Sequence, residues 1–475
     1  MVSKVRTIFA NVSWLMVSQI ITSACAFVWT ILMARYLGPS DYGIFGTAVS
    51  FSVLFIALAD FGVTAFIVRA ISTDIEKEDI YLNNAISLKL FLSIFYLIVV
   101  FLASIIIGWD NYVIIFCMLY AFESLIKSFE NVIFSSFQSH EQMKYQAITN
   151  TILNVLTLIL IIFVTFTDYG LFGITFAYIF ANLTALFYEI ITLRKHFIKP
   201  KFSFDINCYK LLIKAGIPFA LSGIFYTIYY SIDLVMISHF STTYNTGLYN
   251  SAYKLISVLT LFYSIYTAVI FPVMSKLFKN EKDILHLSFV KSMKYLLLAT
   301  VPIAIFTFFY GNDIIAIYGA EYIEAGGVLK VLIWTVCFLF VNGACSLILN
   351  ASHKEYSVTK IYSVAALFNV ILNLFLIPKY SVYGASVATV LSEILILVLE
   401  MYMIKKINQL PNKHFVFDVL RISVASGVLG IVLYVLHINM WIAMPVSLVV
   451  YFAVIFILRT VDQDDKLIIK QIIGR

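Results

Sequence analysis

Long apolar segments separated by short polar connections make up most of the sequence. An α-helix needs about 20 mostly apolar residues to cross the hydrocarbon core of a bilayer. By this criterion we predict fourteen transmembrane helices, at 11–34, 43–67, 85–107, 112–136, 146–167, 170–192, 215–238, 248–274, 292–310, 327–349, 357–377, 382–404, 418–437 and 440–458. Only the short sequence HINM separates the last two segments.

The composition supports the same class of protein. Hydrophobic residues make up 62% of the chain and charged residues 12%, whereas soluble domains average about 45–50% and about 25%. We therefore expect an all-α polytopic membrane protein. The five cysteines are scattered without the spacing of metal ligands, so we predict no metal site and no cofactor.

The basic residues indicate an orientation. With the N-terminus in the cytoplasm, most of the 32 Lys and Arg residues fall on the inner side, as the positive-inside rule requires. We count Lys89, Lys291 and Lys294 among them, whereas Lys127 and Lys254 fall within spans. Both termini are thus predicted to be cytoplasmic. The outer connections are short and no Gly-rich phosphate loop is present, so we predict a transporter and neither an enzyme nor an ATPase.

An internal repeat relates the two halves of the chain. Segments 1–2 and 7–8 align with an offset of 204, which pairs Gly43 with Gly247. Segments 5–6 and 11–12 align with an offset of 211, which pairs Glu189 with Glu400. A repeat of six helices keeps both copies in the same orientation, and parallel repeats of this kind are a transporter architecture. The predicted regions are an N-lobe at 1–196, a basic cytoplasmic linker at 197–214, a C-lobe at 215–404, and two extra helices with a basic tail at 405–475.

Several motifs occur in an order that resembles one family. They are ARYLGPSDYGIFG (34–46), ADFGVTAFIVR (59–69), KAGIPFALSGIF (214–225), IDLVMISHF (232–240), VIFPVMSKL (269–277), FYGNDIIAIYGAEYIEAG (309–326) and IPKYSVYGASVAT (377–389). Together they resemble the Wzx-type polysaccharide flippases of the multidrug/oligosaccharidyl-lipid/polysaccharide exporter superfamily. Leu234, Ser238 and His239 depart from the pattern, because related proteins often carry basic residues and a Gly–Lys pair there.

The resemblance implies a fold and a function. The expected fold has two six-helix lobes in a V around a central cavity, with two additional C-terminal helices. The expected function is to move an undecaprenyl-diphosphate-linked oligosaccharide between leaflets of the bacterial cytoplasmic (inner) membrane, for an O-antigen, capsule or other surface polysaccharide. Its partners would be the lipid bilayer, the lipid-linked glycan, and the polysaccharide polymerase with its chain-length machinery, and no nucleic acid. The alternatives on the same fold are an ion-coupled multidrug or metabolite exporter and a flippase for the lipid-linked peptidoglycan precursor.

Three charged residues share one face of the fourth predicted span. Glu123, Lys127 and Glu130 are three and four residues apart, which places them on one side of a helix. Ionisable groups within a span usually face the protein interior or a water-filled cavity. The ladder is either a structural clasp, with Lys127 paired on both sides, or part of a cavity in which Lys127 meets the diphosphate. In the second case a proton or Na⁺ would neutralise one carboxylate, which would couple transport to an ion gradient.

Other ionisable residues in or near the spans are further candidates. Asp233 and Lys254 are predicted to lie at similar depth on adjacent helices, either as a structural pair or as a substrate or ion site. Asp60 is a helix-packing anchor or a ligand of the coupling ion. Arg35 flanks the first outer turn, where it suits a gate or an anchor at the membrane interface.

The remaining residues are two glutamates near the ends of predicted spans and three prolines that could bend helices. Glu189 and Glu400 lie near the predicted cytoplasmic ends of their spans, close enough for their carboxylates to reach water by snorkelling. Pro218, Pro272 and Pro302 each remove a backbone donor inside or near a span and are candidates for helix kinks.

Overall fold

The computed structural model describes residues 2–460 and residue 465, and this part of the chain contains no strand. Fourteen α-helices and a few short 3₁₀ turns account for its regular structure. The helices are α1 (Val2–Phe55), α2 (Ala57–Asp60), α3 (Val63–Thr73), α4 (Glu78–Ile107), α5 (Asn111–Ser139), α6 (Lys144–Val164), α7 (Gly170–His196), α8 (Ile206–Phe240), α9 (Thr243–Asn280), α10 (Lys282–Ile315), α11 (Ala325–Ala351), α12 (Glu355–Lys406), α13 (Lys413–Leu436) and α14 (Met440–Ile457).

The predicted class of fold is confirmed. Among the described residues, eleven helical segments are long and apolar enough to cross a membrane. A helix suits this environment because it satisfies its backbone hydrogen bonds internally, where no water is available. Every predicted span except the second falls on one helix to within a few residues at its ends, and α13 and α14 are separate helices as predicted. The orientation of the termini stays a prediction.

Two helices each hold two predicted spans, which are joined across a break. In α1 the break lies at Gly38, with φ 69° and ψ 171°, directly before Pro39. In α12 it lies at Ser381, with φ 50° and ψ −130°, three residues after Pro378. Proline cannot donate the helical hydrogen bond, and glycine accepts a positive φ without steric cost. The chain therefore kinks at Gly38 and at Ser381, and helical structure resumes directly after each break.

The second predicted span is interrupted, so the prediction of one helix over 43–67 is wrong. α2 ends at Asp60, Phe61 and Gly62 have φ values of 46° and 70°, and α3 begins at Val63. The break packs tightly against α8. A Cβ atom at Gly62 would lie 2.2 Å from the carbonyl oxygen of Gly216, and one at Gly216 would lie 2.2 Å from that of Phe61. Glycine at both positions allows the two backbones to meet.

The three candidate prolines lie inside helices. α8 and α10 continue through Pro218 and Pro302. The non-helical residue of α10 is Tyr310, with φ −104° and ψ 19°, eight residues beyond the proline. Position 272 falls within α9, but the Pro272 side chain lies outside what the structure describes.

The chain forms two compact units, which divide between Asn250 and Ser251. In the first, α1 packs against α5, α6, α7 and α8, while α4 packs against α5 and α3 against α8. In the second, α10 packs against α11 and α13, and α11 packs against α12. The predicted lobe boundaries at residues 196, 214 and 404 stay predictions.

Part of the predicted linker is bound to α4. Three backbone N–H groups of the extended segment before α8 donate hydrogen bonds to polar side chains of that helix. The bonds run from Lys201 to Asn83 at 2.8 Å, from Ser203 to Ser87 at 2.9 Å and from Asp205 to Asn84 at 3.0 Å. Asp205 then caps α8 by accepting from the N–H of Asn207 at 2.9 Å.

Each of the two glycines related by the repeat packs against a backbone carbonyl of the other copy of the motif. A Cβ atom at Gly43 would lie 1.9 Å from the carbonyl oxygen of Thr243, and one at Gly247 would lie 1.8 Å from that of Pro39. The offset of 204 that relates Gly43 to Gly247 also relates Pro39 to Thr243. Each glycine therefore receives the carbonyl found one helical turn before its counterpart.

Two lysines of α10 lie in a buried cluster rather than in an exposed connection. Lys291 and Lys294 each approach Asp465 to 2.6 Å, and the Tyr295 hydroxyl donates to it at 2.7 Å. Lys294 also lies 3.3 Å from Asp418 of α13. Both lysines are almost fully buried, so they belong to the protein interior, and their position on the cytoplasmic side stays a prediction.

Replacing Gly216 by Ala should destabilise the protein, because the added Cβ would meet the backbone oxygen of Phe61. Overpacking of this kind costs about 1–3 kcal/mol, and backbone atoms relax less readily than side chains. Thermal unfolding in detergent should show a lower midpoint for Gly216→Ala. Gly223→Ala is the matched control, because it lies on the same helix with nothing within 4 Å of its added Cβ. Equal midpoints for the two variants would contradict the packing argument.

Candidate functional site

The break between α2 and α3 borders a cavity of about 370 Å³ within the first unit. Residues of α1, α2, α3, α5 and α8 line it, and its walls combine small apolar residues with hydroxyl, amide and charged groups. The polar lining consists of Asp60, Thr64, Ser124, Lys127, Ser128, Asn131 and Thr227. The cavity thus joins two of the groups that the sequence singled out, Asp60 and the α5 ladder.

Asp60 forms a buried ion pair with Lys89 at the end of α2. The Lys89 Nζ atom lies 2.6 Å from Asp60 Oδ1 and donates to the carbonyl and the hydroxyl of Ser128 at 2.8 and 2.7 Å. These three contacts use the three donors of the ammonium group. Thr64 donates to Asp60 Oδ1 at 2.5 Å. The pair therefore links the helix break to α4 and α5.

Lys89 was missed as a site residue because it was assigned to the cytoplasmic side. Its side chain is only 1% exposed, so Lys89 is not a solvated charge, and the side of the membrane on which it lies stays a prediction. The signal was present in the sequence, since residue 89 already lies inside the span predicted at 85–107. A lysine at that depth requires a partner, and Asp60 is the one that the fold supplies.

The charged ladder of α5 faces the interior of the unit. Glu123 and Glu130 are buried, whereas 47% of the Lys127 side chain is exposed, in the cavity. Lys127 Nζ lies 2.6 Å from Glu123 Oε1, which also accepts from the Asn182 amide at 3.1 Å. Glu130 acts on Lys127 only through longer-range electrostatics. Within the described residues, Lys127 is thus in contact on one side and open to the cavity on the other.

Glu130 and Glu189 are buried carboxylates without hydrogen-bond donors. Both oxygens of Glu189 and one oxygen of Glu130 lack a partner among the described residues. Glu189 and its repeat counterpart Glu400 have no exposed surface at all. Their interpretation as snorkelling residues is therefore wrong. Glu400 differs in having a partner, because the Ser346 hydroxyl donates to it at 2.5 Å.

The remaining candidates lie outside this cavity. Asp233 is buried in α8 and accepts a hydrogen bond from the Tyr249 hydroxyl at 2.8 Å. Lys254 lies half-buried on α9 in the second compact unit, and its pairing with Asp233 stays a prediction. Arg35 is exposed on α1, three residues before the break at Gly38.

The cavity is suited to hold an anionic group. It presents one accessible ammonium group, from Lys127, and the amide of Asn131, although the carboxylate of Asp60 also lines it. Lys89 is not available for this purpose, because its donors are used. No group of three or more His, Cys, Asp or Glu side chains placed to hold a metal ion occurs among the described residues.

Comparison with known proteins gives two family matches. The model described as "Polysaccharide biosynthesis protein" matches residues 8–278, which is more than half of the chain and includes the cavity. The model described as "MatE" matches residues 218–375.

Individual proteins are also similar to the chain over most of its length. The capsular polysaccharide biosynthesis protein CapF of Staphylococcus aureus is 25% identical over 408 residues, covering 84% of this chain and 99% of CapF. The probable low-salt glycan biosynthesis flippase Agl15 of Haloferax volcanii is 24% identical, covering 80% of this chain and 79% of Agl15. The lipid II flippase MurJ, in an inward closed conformation, superposes with a TM-score of 0.78 at 17% identity, covering 95% and 99% of the two chains. The fold is thus that of MurJ.

The Asp60–Lys89 pair can be tested by a double-mutant cycle on thermal stability. Asp60→Ala leaves the buried ammonium group without a counter-charge, and breaking a buried pair in this way costs about 3–5 kcal/mol. Lys89→Met should cost less, because 26% of the Asp60 side chain is exposed and Thr64 still donates to it. The double variant Asp60→Ala/Lys89→Met should be more stable than Asp60→Ala alone.

Thermal unfolding midpoints of the purified protein would measure this order. Asp110→Ala, which removes an exposed acid before α5, is the control and should change the midpoint little. If Asp60→Ala is no less stable than the double variant, the two charges do not depend on each other.

Proposed function

Because the chain belongs to the polysaccharide biosynthesis protein family of the multidrug/oligosaccharidyl-lipid/polysaccharide exporter superfamily, we propose that it is a flippase for an undecaprenyl-diphosphate-linked oligosaccharide. It moves this repeat unit from the cytoplasmic to the outer leaflet by alternating access, for assembly of a surface polysaccharide. The protein is a multi-pass membrane protein, and its relatives include proteins named as flippases. The family match is the observation that carries the proposal.

The physical task of such a protein agrees with the cavity. Transfer of a diphosphate and several sugars through hydrocarbon is costly, because charged and polar groups lose their hydration. A flippase lowers this cost by giving the polar head a polar path while the lipid tail remains in the bilayer. In the first unit, Lys127 supplies a positive charge to a cavity that also presents the amide of Asn131. Lys127 is therefore our choice for the residue that meets the diphosphate.

The breaks in α1 and between α2 and α3 suit a protein that changes conformation. Each lies at a glycine with positive φ, Gly38 and Gly62, where the backbone can rotate without a Cβ clash. The break at Gly62 directly follows Asp60, so movement there would alter the wall of the cavity. We propose that these breaks act as hinges in the transport cycle.

A second candidate substrate is the lipid-linked peptidoglycan precursor. The observation that favours it is the similarity to MurJ over 95% of this chain. The match to the MatE model over residues 218–375 keeps export of small molecules as a third outcome of the test. CapF and Agl15, both named for glycan biosynthesis, favour the polysaccharide substrate over these two.

Deletion of the gene would distinguish the three substrates. We expect loss of surface polysaccharide together with accumulation of undecaprenyl-linked oligosaccharide in the inner leaflet, because synthesis continues while transfer stops. Both quantities can be measured by extraction of lipid-linked glycans and by analysis of the surface polymer. Accumulation of the peptidoglycan precursor would favour the second candidate. Unchanged glycan with new sensitivity to small toxins would favour an exporter.

Lys127→Ala should abolish or strongly reduce restoration of surface polysaccharide in the deletion strain. Loss of a hydrogen bond to a charged group costs about 1.5–3 kcal/mol, which corresponds to a reduction of about 10- to 150-fold. Lys127→Arg should retain part of the activity because it keeps the positive charge. Lys195→Ala, which removes an exposed lysine at the end of α7, is the control and should restore the polymer fully. Normal restoration by folded Lys127→Ala would exclude a role in binding the diphosphate.

A further inference from the structure

α5 and α7 run side by side in the same direction, which fixes the register of their side chains. Contacts between them occur in matching order along both helices and just beyond them: the Thr175 hydroxyl lies 3.3 Å from the Tyr120 hydroxyl, the Asn182 amide 3.1 Å from Glu123, and the Phe197 ring 5.1 Å from the Phe137 ring. Glu130 and Glu189 each follow the Glu123–Asn182 contact by seven residues. Two helical turns along parallel helices place the two carboxylates opposite each other, and they interact electrostatically.

Neither carboxylate receives the donors that an ionised group requires. Glu189 has no exposed surface, and neither of its oxygens has a partner among the described residues. Glu130 is 5% exposed, and its Oε1 atom likewise lacks a partner. Thr149 of α6 faces Glu189, but its only hydroxyl hydrogen is directed to the Tyr145 carbonyl at 3.0 Å. The single hydrogen of this hydroxyl can serve only one of the two acceptors at a time.

A single shared proton would relieve the repulsion between the two carboxylates. Two ionised carboxylates facing each other in an apolar interior repel one another and both lose their hydration. If one of them is protonated, its O–H group can donate to the other, and one oxygen of each residue acquires a partner. The carboxyl–carboxylate hydrogen bond is charge-assisted and therefore strong. A shared proton is therefore a ligand that suits two acids placed opposite each other.

We propose that Glu130 and Glu189 form a proton-binding carboxyl pair at the interface of α5 and α7. In this pair Glu189 is protonated, and its O–H group donates a hydrogen bond to Glu130. The binding of this proton does not depend on the transported substrate. Its use in transport rests on the proposed function, and there the pair would be the site at which a proton is exchanged during the cycle.

The charged groups around the pair support this assignment. On α5, Lys127 and Glu123 act on Glu130, with Lys127 in contact with Glu123. On α4, Lys89 is held by Asp60, and Glu78 is paired with His140 at 2.7 Å. These neighbouring charges are therefore matched with other partners, and Lys127 is the one open to the cavity. An anion that drew the Lys127 ammonium away from α5 would leave Glu130 with less positive charge nearby. Anion binding and proton binding would then strengthen each other, as linkage requires.

Infrared spectroscopy of the purified protein without substrate tests the pair directly. A protonated carboxyl has a carbonyl stretching band that is separate from the bands of ionised carboxylates. At neutral pH the spectrum should contain such a band, and Glu189→Gln should remove it. Glu130→Gln should keep the band but shift it, because a neutral amide accepts the Glu189 hydrogen more weakly than a carboxylate does. Glu324→Gln, which removes an exposed acid, should leave the band unchanged.

Two results would overturn the proposal. If Glu189→Gln removes no protonated-carboxyl band while the variant keeps the wild-type unfolding midpoint, Glu189 does not carry the proton. If Glu130→Gln leaves the band of Glu189 at its wild-type frequency, the two groups do not share a hydrogen bond. Because the measurement requires no substrate, failure here leaves the flippase proposal intact. Conversely, if gene deletion leaves the glycan unchanged, the flippase proposal fails, but the spectroscopic result on the purified protein still stands.

Discussion

The main constraint on this fold is the absence of water to solvate polar groups within the bilayer. Backbone and side-chain groups there must find partners inside the protein. The constraint applies at the break between α2 and α3, where α2 ends at Asp60. Lys89 binds the Asp60 carboxylate together with the carbonyl and hydroxyl of Ser128, so that both charged groups have partners. The Asp60–Lys89 pair, together with Ser128, thus connects three helices at the break that borders the cavity.

Much of the fold could be predicted from the sequence, because hydropathy over about 20 residues determines where a helix can cross a bilayer. The inward direction of the α5 ladder followed from the cost of exposing charge to lipid, and it agrees with the burial of Glu123 and Glu130. The break at Gly62 could not be found in this way, because a hydropathy average does not register one residue with positive φ. The burial of Lys89, Lys291 and Lys294 was not foreseen for a related reason. Counting basic residues near span ends gives no information on partners that come from distant parts of the chain, such as Asp60 and Asp465.

The repeat positions show how equivalent sites in the two halves have acquired different chemistry. In the first unit, the amide of Asn182 on α7 donates to Glu123 on α5. In the second, Glu393 stands at the position equivalent to Asn182 and accepts from Asn342 on α11 at 2.7 Å. The acid and the amide have exchanged helices while the contact is kept. Seven residues further on, Glu400 has the hydroxyl of Ser346 as its donor, whereas Glu189 faces another acid. Equivalent positions of the repeat thus differ in whether the second acid of α7 or α12 has a hydroxyl donor.

The reciprocal contact of Gly43 and Gly247 has a consequence for how the sequence can diverge. Each glycine is required by a carbonyl that belongs to the other copy of the same motif. If either glycine is replaced, the added Cβ atom meets backbone atoms, and substitution of another side chain cannot relieve that contact. The two positions are therefore expected to behave as an epistatic pair, in which neither copy can drift away from glycine while the other retains the original geometry.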